Sequence, residues 1–281
     1  LPHPLEIEVS EQIQELIPCA ERVRFSKTGS EVCQAAVRVA RAYTGRSHLA
    51  YRGYHGWHSF YSSISDRPKG TLPEEKTYMH EFKYNDLQSL DAILSTYDCA
   101  AVIMEPVIFV AAQEGYLQAV KDLAHKYGAL LIFDEMVTGF RMSVGGAQEY
   151  FKVTPDLATF GKGIANGMPL SVLCGRADVM DECNEIFFSG TFHGECLSLA
   201  AAKVSLQLLE TDGIKAIWEA GGYLRQLLER RGIETVGYGC RFGIPLKNET
   251  KELRSLFMQE CARRGLLIHS FALNICAAHH D

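Results

Sequence analysis

Along this chain, short apolar runs alternate with amphipathic segments of helical period. Glu21 to Ser26 (ERVRFS) alternates polar and apolar residues and predicts a strand. Val32 to Tyr43, rich in Ala, Val and Arg at helical spacing, predicts a helix behind the tight turn Lys27-Thr28-Gly29-Ser30-Glu31. Ser47 to Arg52 predicts a second strand, Asp86 to Tyr97 a helix, and Ala100 to Met104 a buried strand stopped by Glu105-Pro106. A helix over Tyr116 to Tyr127, capped by Gly128, leads into Leu130-Leu131-Ile132-Phe133, a run of apolar residues ended by Asp134 and Glu135. Such a run is buried on both faces, as parallel strands are. Asp156 to Phe160 and Leu170 to Cys174 supply two more strands. Helices over Leu197 to Leu209 and Ile214 to Arg230 follow, and then strand, helix (Lys251 to Arg264) and strand between Ile233 and Ile275.

The alternation of strand and helix from Glu21 to Lys162 predicts an α/β fold, a mostly parallel sheet sandwiched by helices. The expected division is a large α/β domain over 1–230, with an opening helix over 1–20, and a partial α+β domain over 231–281. Residues 61–85, with Pro68, Gly70 and Pro73, predict a surface excursion.

In open α/β sheets ligands bind beyond the carboxyl ends of the strands. Asp134 ends one strand there, and Lys162, in Phe160-Gly161-Lys162-Gly163, follows another. An acid and an amine so placed suit pyridoxal phosphate (PLP): the lysine for a Schiff base, the aspartate for the pyridinium nitrogen. Gly29 and Ser30 stand where the first free amides of a helix favour a phosphate. Taken by itself, that turn more commonly means a plain Ser N-cap. Gly53-Tyr54-His55-Gly56-Trp57-His58 brings aromatic rings to a strand end, where they can lie against a flat cofactor. From Asp134 and Lys162 alone, a solvated loop lysine and an ordinary strand-end carboxylate stay open.

Two other chemistries are set aside. The nucleotide-binding pattern G-x-x-x-x-G-K-[ST] fails because Asp156 and Gly163 stand where it needs Gly and Ser or Thr. His55 and His58 have neither the H-E-x-x-H spacing nor a cysteine pair, so no metal site is expected.

Composition narrows the class further. With 281 residues, 47% apolar and 22% charged, the chain can bury one large core and a satellite. A net charge of -6 with scattered basic residues argues against nucleic acid as a partner. The chain has neither an apolar run of a span's length (about 18 residues) nor a signal pattern, so no membrane association is expected. Nine cysteines without C-x-x-C, several inside apolar segments (Cys33, Cys99, Cys174, Cys276), predict reduced thiols in a cytoplasm. Leu1-Pro2-His3-Pro4 runs straight into an amphipathic segment, and the chain closes on the apolar run Asn274 to Ala278 before His279-His280-Asp281. A fragment or a shortened family member is therefore expected.

Four blocks carry a resemblance. Arg24 to Ala35 (RFSKTGSEVCQA), Tyr54-His55-Gly56, Leu131 to Gln148 (LIFDEMVTGFRMSVGGAQ) and Pro155 to Pro169 (PDLATFGKGIANGMP), followed by Gly190-Thr191, resemble the class III (subgroup II) PLP-dependent aminotransferases. Within that family they resemble the branch around glutamate-1-semialdehyde 2,1-aminomutase. The resemblance implies fold type I and transfer of an amino group between an amine or amino-acid donor and a keto or aldehyde acceptor through Lys162. It implies that Asp134 pairs with the ring nitrogen, that Gly29 and Ser30 bind the phosphate, and that Tyr54 and Met136 pack on the two ring faces. His55 and Glu105 would lie near the cofactor. Thr191 would reach the phosphate of a neighbouring subunit, which implies a homodimer.

The chain also departs from that pattern. The family has a longer N-terminal part and a terminal helix that are missing here, and Gly163-Ile164-Ala165-Asn166-Gly167 replaces a more glycine-rich run. The aminomutases carry an acidic residue near the region matching His269-Ser270-Phe271-Ala272-Leu273, which has none. That favours an ordinary aminotransferase, or an aminomutase-like enzyme of other specificity. An aminomutase-like intramolecular transfer and a truncated, catalytically silent PLP-binding homologue are the alternatives, and a non-PLP α/β binding protein is a third.

Overall fold

The computed structural model describes residues 3–268 and 272–279. The chain divides into two compact units, Leu1–Pro106 with Ala112–Leu209, and Val107–Ala111 with Glu210–Asp281. The sequence-based division at 230 falls one helix later, after Ile214–Glu229.

The first unit is built on seven strands: β1 (Arg22–Ser26), β2 (His48–Arg52), β3 (Met79–Glu81), β4 (Cys99–Met104), β5 (Leu130–Asp134), β6 (Leu157–Phe160) and β7 (Ser171–Gly175). Their order across the sheet is β1-β7-β6-β5-β4-β2-β3. β7 runs antiparallel to both of its neighbours, and every other adjacent pair is parallel. The sheet is therefore the expected α/β sheet, mostly parallel and flanked by helices.

Alternating side chains explain why β4 is apolar throughout and β5 as far as Phe133. Leu130 and Ile132 face one core, which the helix Gly29–Thr44 covers with Val32, Ala36, Val37 and Ala40. Leu131 and Phe133 face another, covered by Leu117, Val120 and Ala124 of the helix Tyr116–Lys126. A strand covered on both faces has no position left for a polar residue until its end. Burying Leu131, Ile132 and Phe133, each fully buried, contributes about 1.5–3 kcal/mol per side chain. A third core lies under Pro4–Leu16 and Cys196–Leu208, whose Val9, Ile13, Leu199 and Leu206 pack on Phe160 and Val172.

The excursion over 61–85 contains more order than its composition predicts. It holds the short helix Pro73–Thr77 and the edge strand β3, paired in parallel with β2. Three residues with only Met79 buried leave no periodic signal in the sequence.

The second unit carries a three-stranded antiparallel sheet, β8 (Val236–Tyr238), β9 (Arg241–Gly243) and β10 (Ala272–Asn274), in the order β10-β9-β8. Buried Arg254 of the helix Lys251–Arg263 makes two bonds to Glu249, at 2.9 and 2.6 Å, and one to the Ile244 carbonyl at 2.9 Å. The closing run is a strand only as far as Asn274, and Ala277–His279 turns into a 3-10 helix. Of the stretch in which an acidic residue is lacking, 269–271 lie outside the described residues. Among the described residues, no helix is long and apolar enough to cross a membrane.

Candidate active site

Because β1, β2, β4, β5 and β6 run in one direction, their carboxyl ends meet at one edge of the sheet. There the chain leaves β1 into Lys27 and Gly29, β2 into Tyr54 and Gly56, β4 into Glu105, β5 at Asp134, and β6 into Gly161 and Lys162. Antiparallel β7 brings its amino end to the same edge, with Met168, Pro169 and Leu170. These residues enclose a cavity of about 390 Å³, also lined by Ser30, Cys33, Met136 and Val137. That volume suits a small cofactor.

The anion end is the start of the helix Gly29–Thr44. Its N-cap is Thr28, not Ser30: the Thr28 hydroxyl accepts the Glu31 amide, and Glu31 accepts the Thr28 amide in return. With that box closed, the amides of Gly29 and Ser30 have no protein acceptor among the described residues, and the helix dipole adds positive potential there. Gly56, at φ +92°, lets the aromatic loop lie on this turn, since a Cβ there would sit 2.4 Å from Ser30 Oγ. Met136 packs between Gly29 and Gly161, where added Cβ atoms would lie 2.7 and 2.8 Å from its sulfur.

Asp134 is 2% exposed. Its Oδ2 accepts from His55 Nδ1 at 2.8 Å and from Cys33 Sγ at 3.4 Å, and its Oδ1 accepts the Met136 amide at 3.1 Å. A carboxylate only accepts, so Nδ1 of His55 carries the hydrogen, and buried Nε2 has no partner among the described residues. Burial, and next the Asp134 charge, push the Cys33 thiol well above its usual range, so it stays protonated and donates. Oδ2 is thus filled, while Oδ1 keeps an open lone pair.

Lys162 lies at φ +45°, an uncommon backbone conformation for a side chain other than glycine. It opens a 3-10 turn over Lys162–Ile164 and lines the cavity. Glu105 Oε1 accepts the Tyr54 amide at 2.8 Å. Tyr54 is 61% exposed, its ring edge-on to Tyr61 at 5.4 Å.

The fold therefore gathers Gly29, Ser30, Tyr54, Glu105, Asp134, Met136 and Lys162 around one cavity. His55 stands behind Asp134 rather than on the wall, and Thr191 lies exposed on the loop before Cys196–Leu208. Cys33 and Lys27 escaped the reading of the sequence. Cys33 follows Gly29 by one helical turn and so shares its face, a spacing that could have marked it.

The donor set matches PLP in kind: free amides at a helix start for a phosphate, a carboxylate with an open lone pair for a ring nitrogen, and a lysine for a carbonyl carbon. Residues 2–279 match the family model described as aminotransferase class-III. The chain belongs to that family. A 3-aminobutyryl-CoA aminotransferase of Cloacimonas acidaminovorans is 36% identical over an alignment of 293 positions that covers 96% of this chain and 70% of that protein. A glutamate-1-semialdehyde 2,1-aminomutase of Methanothrix thermoacetophila is 37% identical over 244 residues, 80% of this chain and 57% of that one. This class-III chain thus spans little more than half the length of that aminomutase. Among solved structures, the FumI protein of Sphingopyxis sp. MTA144 in its PLP internal aldimine form superposes with a TM-score of 0.91 at 26% identity. That superposition covers 100% of this chain and 71% of FumI.

Proposed function

We propose that this protein is a PLP-dependent aminotransferase, moving an amino group between an amine or amino-acid donor and a keto or aldehyde acceptor. The observation that carries the reading is Asp134 and Lys162 on one cavity wall with the free amides of Gly29 and Ser30. The match to an aminotransferase over 96% of the chain, against 80% for the aminomutase, supports intermolecular transfer over the intramolecular alternative.

When bound, PLP supplies an electron sink for the charge left on the substrate carbon as its proton departs. The Gly29 and Ser30 amides would bind the phosphate, and Met136 and Tyr54 would pack on the ring. Asp134, oriented by His55 and Cys33, would keep a proton on the ring nitrogen. Lys162 Nζ would meet the carbonyl carbon at rest and, with substrate in place, would be the base that takes up and hands back the substrate carbon's proton. Glu105 fixes the Tyr54 backbone.

The active unit is a homodimer in which Thr191 serves the partner's cofactor. Phe187, Phe192 and Leu197, 84%, 67% and 72% exposed around Thr191, support an interface at that loop. Nine free thiols support a cytoplasmic location.

The test is spectroscopic. Adding PLP to the apoprotein gives a new visible absorbance band, adding an amino donor without acceptor bleaches it, and Lys162→Ala abolishes both changes. A Lys162→Ala spectrum identical to wild type would sink the assignment. A band that no amine alters would favour the silent homologue.

A further inference from the structure

A dianionic phosphate in a protein cavity is best held where a cation joins the backbone donors. The cavity wall carries two lysines among the described residues, Lys162 and Lys27. The first is engaged at the carbonyl carbon in the reading above. Lys27 follows β1 directly and stands two positions before Gly29, beside the free amides. Its side chain is 13% exposed, and its Nζ lies 2.7 Å from Glu195 Oε1.

Glu195 is fixed independently of Lys27. It caps the helix Cys196–Leu208, with Oε2 accepting the Leu197 amide at 2.9 Å and Oε1 the Ser198 amide at 3.1 Å. The bond from Lys27, and then those from Ser198, hold its carboxyl down to about 2, so it is ionised throughout the neutral range. An ammonium has three hydrogens, and Glu195 uses one of them.

A separate tie holds the same loop. Ser26 Oγ donates to Glu31 Oε2 at 2.8 Å and lies 3.0 Å from His193 Nε2. With its only hydrogen given to Glu31, Ser26 accepts from His193. Loss of Lys27 thus leaves the loop fastened through His193, and a substitution there removes a charge without freeing the segment.

We propose that Lys27 is the counter-charge for the cofactor phosphate, bridging that phosphate to the capped carboxylate of Glu195. The proposal rests on the cofactor reading above and adds to it the residue that selects a phosphorylated ligand over its dephosphorylated form.

Calorimetry on the full-length apoprotein with PLP, pyridoxal and inorganic phosphate tests it. Lys27→Met should weaken PLP and inorganic phosphate by about tenfold or more and leave pyridoxal unchanged, the size of a lost charge-assisted bond. Lys27→Arg should restore most of the loss. Glu195→Gln, which removes the competing anion, should tighten inorganic phosphate. Unchanged PLP affinity in Lys27→Met, an equal loss for pyridoxal, or weaker phosphate binding in Glu195→Gln overturns the assignment. The two readings fail separately. Wild type that ignores both PLP and pyridoxal yet binds inorganic phosphate through Lys27 refutes the cofactor and keeps the counter-charge. Lys27-independent PLP binding does the reverse.

Discussion

Two buried aspartates stand at opposite edges of the sheet, Asp134 at the carboxyl end of β5 and Asp156 just before the amino end of β6, and each is 2% exposed. Their surroundings differ. Asp156 Oδ1 takes Arg176 Nη1 at 2.6 Å, and Oδ2 takes the Leu131 amide at 2.7 Å and His125 Nε2 at 2.8 Å. A guanidinium compensates its charge, and its partners all belong to the fold. Asp134 has an imidazole, a thiol and one amide, with no arginine or lysine bonded to it among the described residues, and it borders open space. Burial alone therefore does not mark a working carboxylate. What marks it is a capacity to accept that the protein leaves open.

The sharpest way to break this comparison is Asp134→Asn. An amide cannot hold a proton on a ring nitrogen as a carboxylate does, so kcat should fall by at least about a hundredfold, with PLP affinity changed far less. Equal losses in rate and affinity would make Asp134 a binding group and blur the contrast. Next in size is Asp156→Ala, which leaves the Leu131 amide and Arg176 without their buried acceptor. Urea denaturation should show a loss of about 2–4 kcal/mol. Calorimetry at 25 °C should find PLP affinity unaltered, and a fall like that of a cavity residue would end the distinction.

A comparable effect, spread over a pH window, concerns Glu135, next to Asp134 and fully buried. It turns away from the cavity to accept the Ala147 and Gln148 amides at 2.8 and 2.9 Å and the Thr138 hydroxyl. Burial, working against those donors, raises its carboxyl from the ordinary 4.5 to about 7. The unfolded chain then releases this proton at lower pH than the folded one. Its contribution to stability is complete below pH 4.5 and is lost as pH rises through 7. Relative to Glu135→Gln, wild type should lose stability across that window, measured by melting temperature against pH. A flat difference would return Glu135 to the ordinary carboxylates.

How far these roles were legible follows from range. Leu130 to Phe133 betrays a doubly buried strand by composition, and the turn 27–31 betrays a helix start by local spacing. The capping box of Thr28 and Glu31 corrects the reading of Ser30 as a cap, because only the closed box shows which amides are left free. β3 escaped notice because three residues carry no period. Lys27 and Glu195 are 168 positions apart, and nothing local links them.

Sequence alone determined the strand and helix alternation and marked Asp134, Lys162, Gly29 and Ser30 as candidates, since each of these rests on spacing within one short block, while the family rested on a resemblance carried by four ordered blocks. Tertiary structure decided that Asp134 borders the cavity while Glu135 and Asp156 are spent on the fold, that His55 and Cys33 bond to Asp134 from behind, and that Lys27 meets Glu195. Hydrogen bonding and charge act over about 3 Å through space. Residues brought that close by parallel strands come from far apart in the chain, so their pairing exists only once the sheet has formed.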